Sequence, residues 1–204
     1  VSKALSNSSQ REHNGMIWIL VGYVSGSWLA ALSVCRWAGL PDPRQHGSRN
    51  PGFSNVLRLY GARLAAVTLL LDALKGMPAV LAAKLLDFPV WLQGVVGLAV
   101  LLGHSYPLWH GFRGGKAVAS AFGVLLVLVP AVALITALVW ALLAWRLKTA
   151  ALASLWSAMV APLVCGWLAP SYVLVVGGFS LLVLTRHALN IRRLKRGEEP
   201  PFRG

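Results

Sequence analysis

The sequence predicts an all-α integral membrane protein with seven transmembrane helices, its N-terminus periplasmic and its C-terminus cytoplasmic. Three observations carry that expectation. Of 204 residues, 57% are hydrophobic and 12% charged, where a soluble domain carries about 25% charge. The apolar residues fall into runs long enough to cross a hydrocarbon core of about 30 Å as helices. The 19 Lys and Arg collect in alternate loops between those runs. Water is a poor solvent for so much contiguous apolar surface, whereas a helix in lipid satisfies its own backbone polar groups.

The elements follow in order. Residues 1–15 are polar and read as an N-terminal extension or tag. Residues 16–191 form the membrane domain and 192–204 a basic cytoplasmic tail. The first span is expected over 16–34, the second over 64–84 and the third over 89–107. Residues 117–145 are too long for one span and contain Pro130, which breaks a helix interior, so two helices meet there. The sixth span covers 150–168, and the seventh starts after Pro170 and runs to residue 185.

Fifteen of the 19 basic residues lie in the loops 36–63, 113–116, 146–148 and the tail from Arg186, which therefore share the cytoplasmic face. Only Lys3, Arg11, Lys75 and Lys84 fall on the other side or within a span. Glycine, serine, asparagine and histidine concentrate in the same inner loops, so any chemistry faces the cytoplasm. The net charge of +13 lies in short loops between apolar spans and not in a nucleic-acid reader motif. Cys35 and Cys165 stand alone in apolar stretches and read as small buried hydrophobes, so no metal site is expected.

Four polar groupings stand out. In Gly47-Ser48-Arg49-Asn50-Pro51-Gly52-Phe53-Ser54-Asn55-Val56-Leu57-Arg58, a flexible backbone can aim N–H groups at an anion. The following helix start favours phosphate, and the Arg58 fork lies one turn along. In Gly103-His104-Ser105-Tyr106-Pro107 and Gly111-Phe112-Arg113-Gly114-Gly115-Lys116, paired glycines precede a lysine, without the Walker A pattern. His104 and His110 are candidate catalytic groups, though an interfacial histidine is more often a structural hydrogen-bonder. His187 and Asn190 share a helix face at i, i+3 near the end of the last span, followed by Glu198 and Glu199. Asp72 and Lys75 lie inside the second span, where an ion pair neutralises an otherwise costly charge. No HxxxxD dyad and no GxSxG elbow is present.

Taken together, these loops closely resemble the bacterial acyl-phosphate:glycerol-3-phosphate acyltransferases, the PlsY family. Asp42-Pro43-Arg44, Gly47-Ser48, Asn50-Pro51-Gly52, Asn55-Val56-Leu57-Arg58 and Gly61 match its first motif. Asp72, Lys75-Gly76, Gly103-His104, Pro107, Phe112 and Gly114-Gly115-Lys116 match the second region. His187, Asn190-Ile191, Arg193-Leu194 and Glu199 match the third. The resemblance implies seven helices and an active site facing the cytoplasm of the bacterial inner membrane. It implies acyl transfer from acyl-phosphate to the 1-position of sn-glycerol 3-phosphate, the first step of phospholipid biosynthesis. The products would be lysophosphatidic acid and phosphate, and no cofactor is implied.

Carried over motif by motif, Ser48, Arg58, His187 and Asn190 are the expected catalytic residues. Gly47, Asn50, Gly52, Asn55, Gly114, Gly115, Lys116 and Ser154 are expected to bind substrate. Asp72, Lys75 and Glu199 are expected to be structural. The partners are the two anionic substrates and membrane lipid, with a monomer as the functional unit. An acyl-phosphate is already activated, so the demand is for cations and N–H groups that hold two phosphates together rather than for a strong nucleophile. Direct attack is expected, with the donor phosphate or His187 as base. Arg49 and Ala117 stand where the family usually has glycine, Phe53-Ser54 where it has Ala-Thr, and Ser120 where it has threonine. Arg49 is expected to enter the anion loop and alter phosphate binding or donor choice. The competing readings are an anion transporter and a non-catalytic lipid-binding scaffold. The sparse intramembrane polar residues and the absence of an inverted repeat weigh against transport.

Overall fold

A computed structural model describes residues 15–202. The expected extension and Arg203 lie outside the described residues, apart from Gly15, which opens the first helix. Among the described residues there are helices and no strand. In chain order they are α1 (Gly15–Gly26), α2 (Ala30–Trp37), α3 (Phe53–Tyr60), α4 (Ala62–Leu74), α5 (Met77–Leu85) and α6 (Val90–Ser105). After a 3₁₀ turn at Leu108–His110 come α7 (Val118–Leu128), α8 (Pro130–Leu147) and α9 (Ala150–Leu168). A second 3₁₀ turn at Pro170–Tyr172 leads into α10 (Val173–Arg186) and α11 (Ala188–Arg196).

Each expected span overlaps helical segments, but several are bent or short. The first is broken into α1 and α2, bent by 40°. Ser27 sits at the break, where its hydroxyl donates to the Tyr23 carbonyl (2.8 Å) and accepts from the Leu108 amide (3.2 Å). The last bends by 51° between α10 and α11. Three spans are long and apolar enough alone to cross a bilayer, Ala62–Leu85, Pro130–Leu147 and Ala150–Leu168, or up to five if each bent pair is one span. The 117–145 segment divides at Pro130 as its proline requires. The eleven-residue α7 is apolar but too short to cross a bilayer alone. The Lys84 ammonium donates to its last carbonyls, those of Val127 (2.8 Å) and Leu128 (3.1 Å).

Small residues bring helix backbones together, as membrane packing favours. A Cβ on Gly26 would lie 2.1 Å from the Val100 carbonyl oxygen, and one on Gly103 2.2 Å from that of Tyr23, so α1 and α6 cross almost backbone to backbone. Gly123 of α7 meets α4 in the same way at Ala73. The core is built of Val80, Val96, Val100, Val124, Val132, Val176 and Phe179. The outer faces keep large apolar side chains exposed, among them Leu163, Trp167 and Leu174, the arrangement expected where lipid is the solvent.

Candidate active site

Between α3, α7, α8, α9, α10 and α11 lies a cavity of about 460 Å³. One end is polar, with Ser48, Asn50, Arg58, Lys116, His187 and Asn190. The other is an apolar arm between α7, α8, α9 and α10, including Phe122, Leu125, Trp140, Ala158, Val176 and Phe179. An anion with a hydrocarbon tail suits such a shape.

The loop before α3 is folded around one side chain. Asn55 is fully buried; its Oδ1 accepts from the Ser48 amide (2.9 Å) and its Nδ2 donates to the carbonyls of Pro43 (2.8 Å) and His46 (3.1 Å). Asn55 lines the cavity, as expected of a site residue, and its amide also shapes the loop. Gly47, with φ +60°, leaves room for that amide, since a Cβ there would lie 2.5 Å from Oδ1; it is not part of the cavity wall. Asp42 and Arg44 pin the loop entrance with a 2.7 Å ion pair. Ser48, Asn50 and Gly52 face the cavity. Arg49 does not: it is exposed, in the left-handed region at φ +60°, which corrects its expected entry into the anion site. Arg58, half-buried on α3, reaches the cavity with Nε lacking a partner.

The second loop works differently from the expected anion cradle. The Gly114 amide donates to the Ser105 carbonyl (3.2 Å) and the Gly115 amide to that of His104 (3.0 Å). Arg186 holds both glycine carbonyls, at 3.2 and 3.1 Å. Both N–H groups are engaged within the protein here, and both glycines pack closely against His104. A Cβ on Gly114 would lie 2.0 Å from the His104 carbonyl oxygen. This tight turn delivers Lys116 into the cavity, where Nζ makes no hydrogen bond among the described residues. Burial pulls its pKa down to about 8, opposed by Glu199 and reinforced by Arg58, Arg193 and Arg186.

His187 sits at the α10–α11 bend, buried, with Nδ1 2.7 Å from the Val183 carbonyl. A carbonyl only accepts, so Nδ1 carries the proton, and Nε2 of the neutral ring is an acceptor. The shared helix face expected of His187 and Asn190 is interrupted by the bend, yet both line the cavity. Asn190 donates to Glu199 (2.6 Å), whose other carboxylate oxygen is buried without a partner. The basic tail is thus not a free appendage. It continues as α11 and turns back, Pro200 lining the cavity and the Phe202 amide donating to the Lys148 carbonyl (2.7 Å). Phe202 closes an aromatic cluster with Trp140 (5.6 Å) and Phe53 (6.0 Å). Ser154 lies in the cavity wall and accepts from the Trp140 indole (2.9 Å).

Asp72 and Lys75 pair at 2.8 Å, both almost wholly buried. His110 stands apart from the cavity, by Asp42 and Arg44. The residues of the apolar arm escaped the sequence reading, because no motif distinguishes them from lipid-facing neighbours.

Comparison with known proteins fits this geometry. Residues 16–197 match the family model described as glycerol-3-phosphate acyltransferase. A Chromohalobacter salexigens protein of that name is 62% identical over 89% of this chain and 89% of its own. One from Neisseria meningitidis serogroup B is 44% identical over 91% and 96%. The crystal structure of PlsY (YgiH), an integral membrane glycerol 3-phosphate acyltransferase, in its glycerol 3-phosphate form superposes with a TM-score of 0.86 at 32% identity, covering 92% of this chain and 95% of that one. Its lysophosphatidic acid form gives 0.83.

Proposed function

The chain belongs to the glycerol-3-phosphate acyltransferase family, and from that membership we propose that it transfers a fatty acyl group from an acyl-phosphate to the 1-position of sn-glycerol 3-phosphate. The products are lysophosphatidic acid and inorganic phosphate. The observation that carries the reading is the meeting, in one cavity, of Arg58 and Lys116 with an apolar arm. Two cations without an anionic side-chain partner in hydrogen-bond contact suit phosphate, and the arm suits a fatty tail.

In this mechanism Arg58 and Lys116 hold the two phosphates near one another and offset their repulsion. The glycerol hydroxyl attacks the acyl carbonyl carbon, the bond to the phosphate oxygen breaks, and that phosphate takes the hydroxyl proton. His187, with Nε2 as acceptor, orients the hydroxyl; Ser48 and Asn50 hydrogen-bond substrate oxygens, and Asn190 and Glu199 brace the closing tail. The helices are read as seven spans, with the cavity on the cytoplasmic side of a bacterial inner membrane. That orientation follows from the excess of Lys and Arg in the loops around it. The functional unit is read as a monomer, since one chain carries both the phosphate-binding cations and the apolar arm.

The test is phosphate release from palmitoyl-phosphate with and without glycerol 3-phosphate. Release that depends on the acceptor, with lysophosphatidic acid appearing in equal amount, is expected. A transporter or a scaffold would give none.

A further inference from the structure

His104 lies at the end of α6, buried beneath the turn that carries Lys116, and forms part of the cavity wall. Its ring packs so closely that a Cβ on Gly115 would lie 2.2 Å from Nε2. The other ring nitrogen, Nδ1, is 2.7 Å from the Lys75 ammonium. That ammonium has three N–H groups and three acceptors: the Trp28 carbonyl (2.7 Å), Asp72 Oδ1 (2.8 Å) and His104 Nδ1. An ammonium only donates, so Nδ1 must accept. Asp72 Oδ1, at 3.6 Å from Nδ1, is too far for a hydrogen bond. A neutral ring whose Nδ1 accepts carries its proton on Nε2. Among the described residues Nε2 has no hydrogen-bond partner, and His104 lines the cavity. A donor left without a protein acceptor at a cavity wall is free to meet a ligand oxygen.

We propose that His104 is a substrate-binding residue whose Nε2–H, fixed by Lys75, donates to an anionic oxygen of a bound phosphate. The two cavity histidines then have opposite roles. His187 offers an acceptor nitrogen, suited to a hydroxyl, and His104 offers a donor, suited to a phosphate oxygen. Lys75 acts as a positioning residue through His104. The assignment deepens the acyl-transfer reading and rests on it for the substrates' identity. The ligand chemistry is a phosphate oxygen, which either the acyl donor or glycerol 3-phosphate supplies.

The full chain labelled with ¹⁵N-histidine tests this without turnover. The His104 resonance, identified by its loss in His104→Gln, is expected to show the Nε2–H form across neutral pH. It is expected to shift on addition of glycerol 3-phosphate or of a non-hydrolysable acyl-phosphonate, and the probe that moves it identifies the phosphate it meets. A ring protonated on Nδ1, or an Nε2–H that neither probe moves, overturns the proposal. In kinetics, His104→Leu is expected to lower kcat/KM about a hundredfold, with KM rising for the substrate identified by resonance, while His104→Gln, which keeps a donor, loses about tenfold or less. A folded His104→Leu protein within about threefold of the parent also overturns it. If the wild-type protein shows no acceptor-dependent phosphate release, the acyl-transfer reading fails, while the resonance arm still decides the donor role of His104.

Discussion

Lys75 and Lys116 are the same residue type in one fold, put to opposite uses. Lys75 lies within a span, and all three of its N–H groups are engaged by a carbonyl, a carboxylate and an imidazole. Lys116 follows a glycine turn, and the fold engages none of its N–H groups among the described residues. The first arrangement neutralises a charge that lipid would penalise. The second leaves a charge where an anionic ligand can complete it. Charge in a membrane protein marks a ligand site where the protein has left its hydrogen bonds unfinished, and a structural knot where it has finished them.

The contrast makes different demands on different variants. Lys75→Met leaves Asp72 buried and unpaired, which costs about 3–5 kcal/mol, so a large fall in melting temperature in detergent is expected. Asp72→Leu combined with Lys75→Met should recover most of that loss, and failure to recover it would mean the knot is more than a neutralised pair. Lys116→Met should not lower the melting temperature, and should raise it at neutral pH because burial disfavours the charge it removes; it should lower kcat/KM for glycerol 3-phosphate about a hundredfold, by removing a charge-assisted contact of about 2–3 kcal/mol. A Lys116 variant that loses stability in place of activity would erase the distinction.

A smaller effect follows from pH. Because burial holds Lys116 near 8, below its usual 10.5, the free protein loses this charge as pH rises through about 8. The KM for glycerol 3-phosphate should be flat below that value and climb above it, by at most tenfold per pH unit. The stability sign is opposite. Between about 8 and 10.5 the unfolded chain holds the extra proton, so the folded state gains stability as pH rises through that window. Lys116→Met should flatten the KM profile. The smallest change is expected for Arg49→Gly. Its side chain is exposed outside the cavity and its φ is +60°, so glycine relieves strain of roughly 1 kcal/mol. A gain in melting temperature with an unchanged donor chain-length profile is expected; a shifted profile would return Arg49 to the site.

Much of this was legible in the chain itself. The apolar runs and the Pro130 break set the helices, because lipid forces backbone polar groups to pair within each segment. The three polar loops are brought to one cavity, and Ser48, Arg58, Lys116, His187 and Asn190 all line it. What sequence reasoning could not foresee is which groups have their hydrogen bonds already engaged within the protein. Asn55, Gly114 and Gly115 carry the residue types of an anion site, but their donors close the loops that form it.

The sequence alone determined membrane residence, the approximate helix pattern and the pool of polar residues, since these depend on local hydropathy and on residue chemistry. Only the tertiary structure decided which members of that pool keep a free donor or acceptor, where the acyl arm runs, and that the tail folds back through Glu199 and Phe202. The physical reason is that hydrogen-bond satisfaction is a property of neighbours in space. Lys75 and His104, 29 residues apart, have no relation that a local pattern can express.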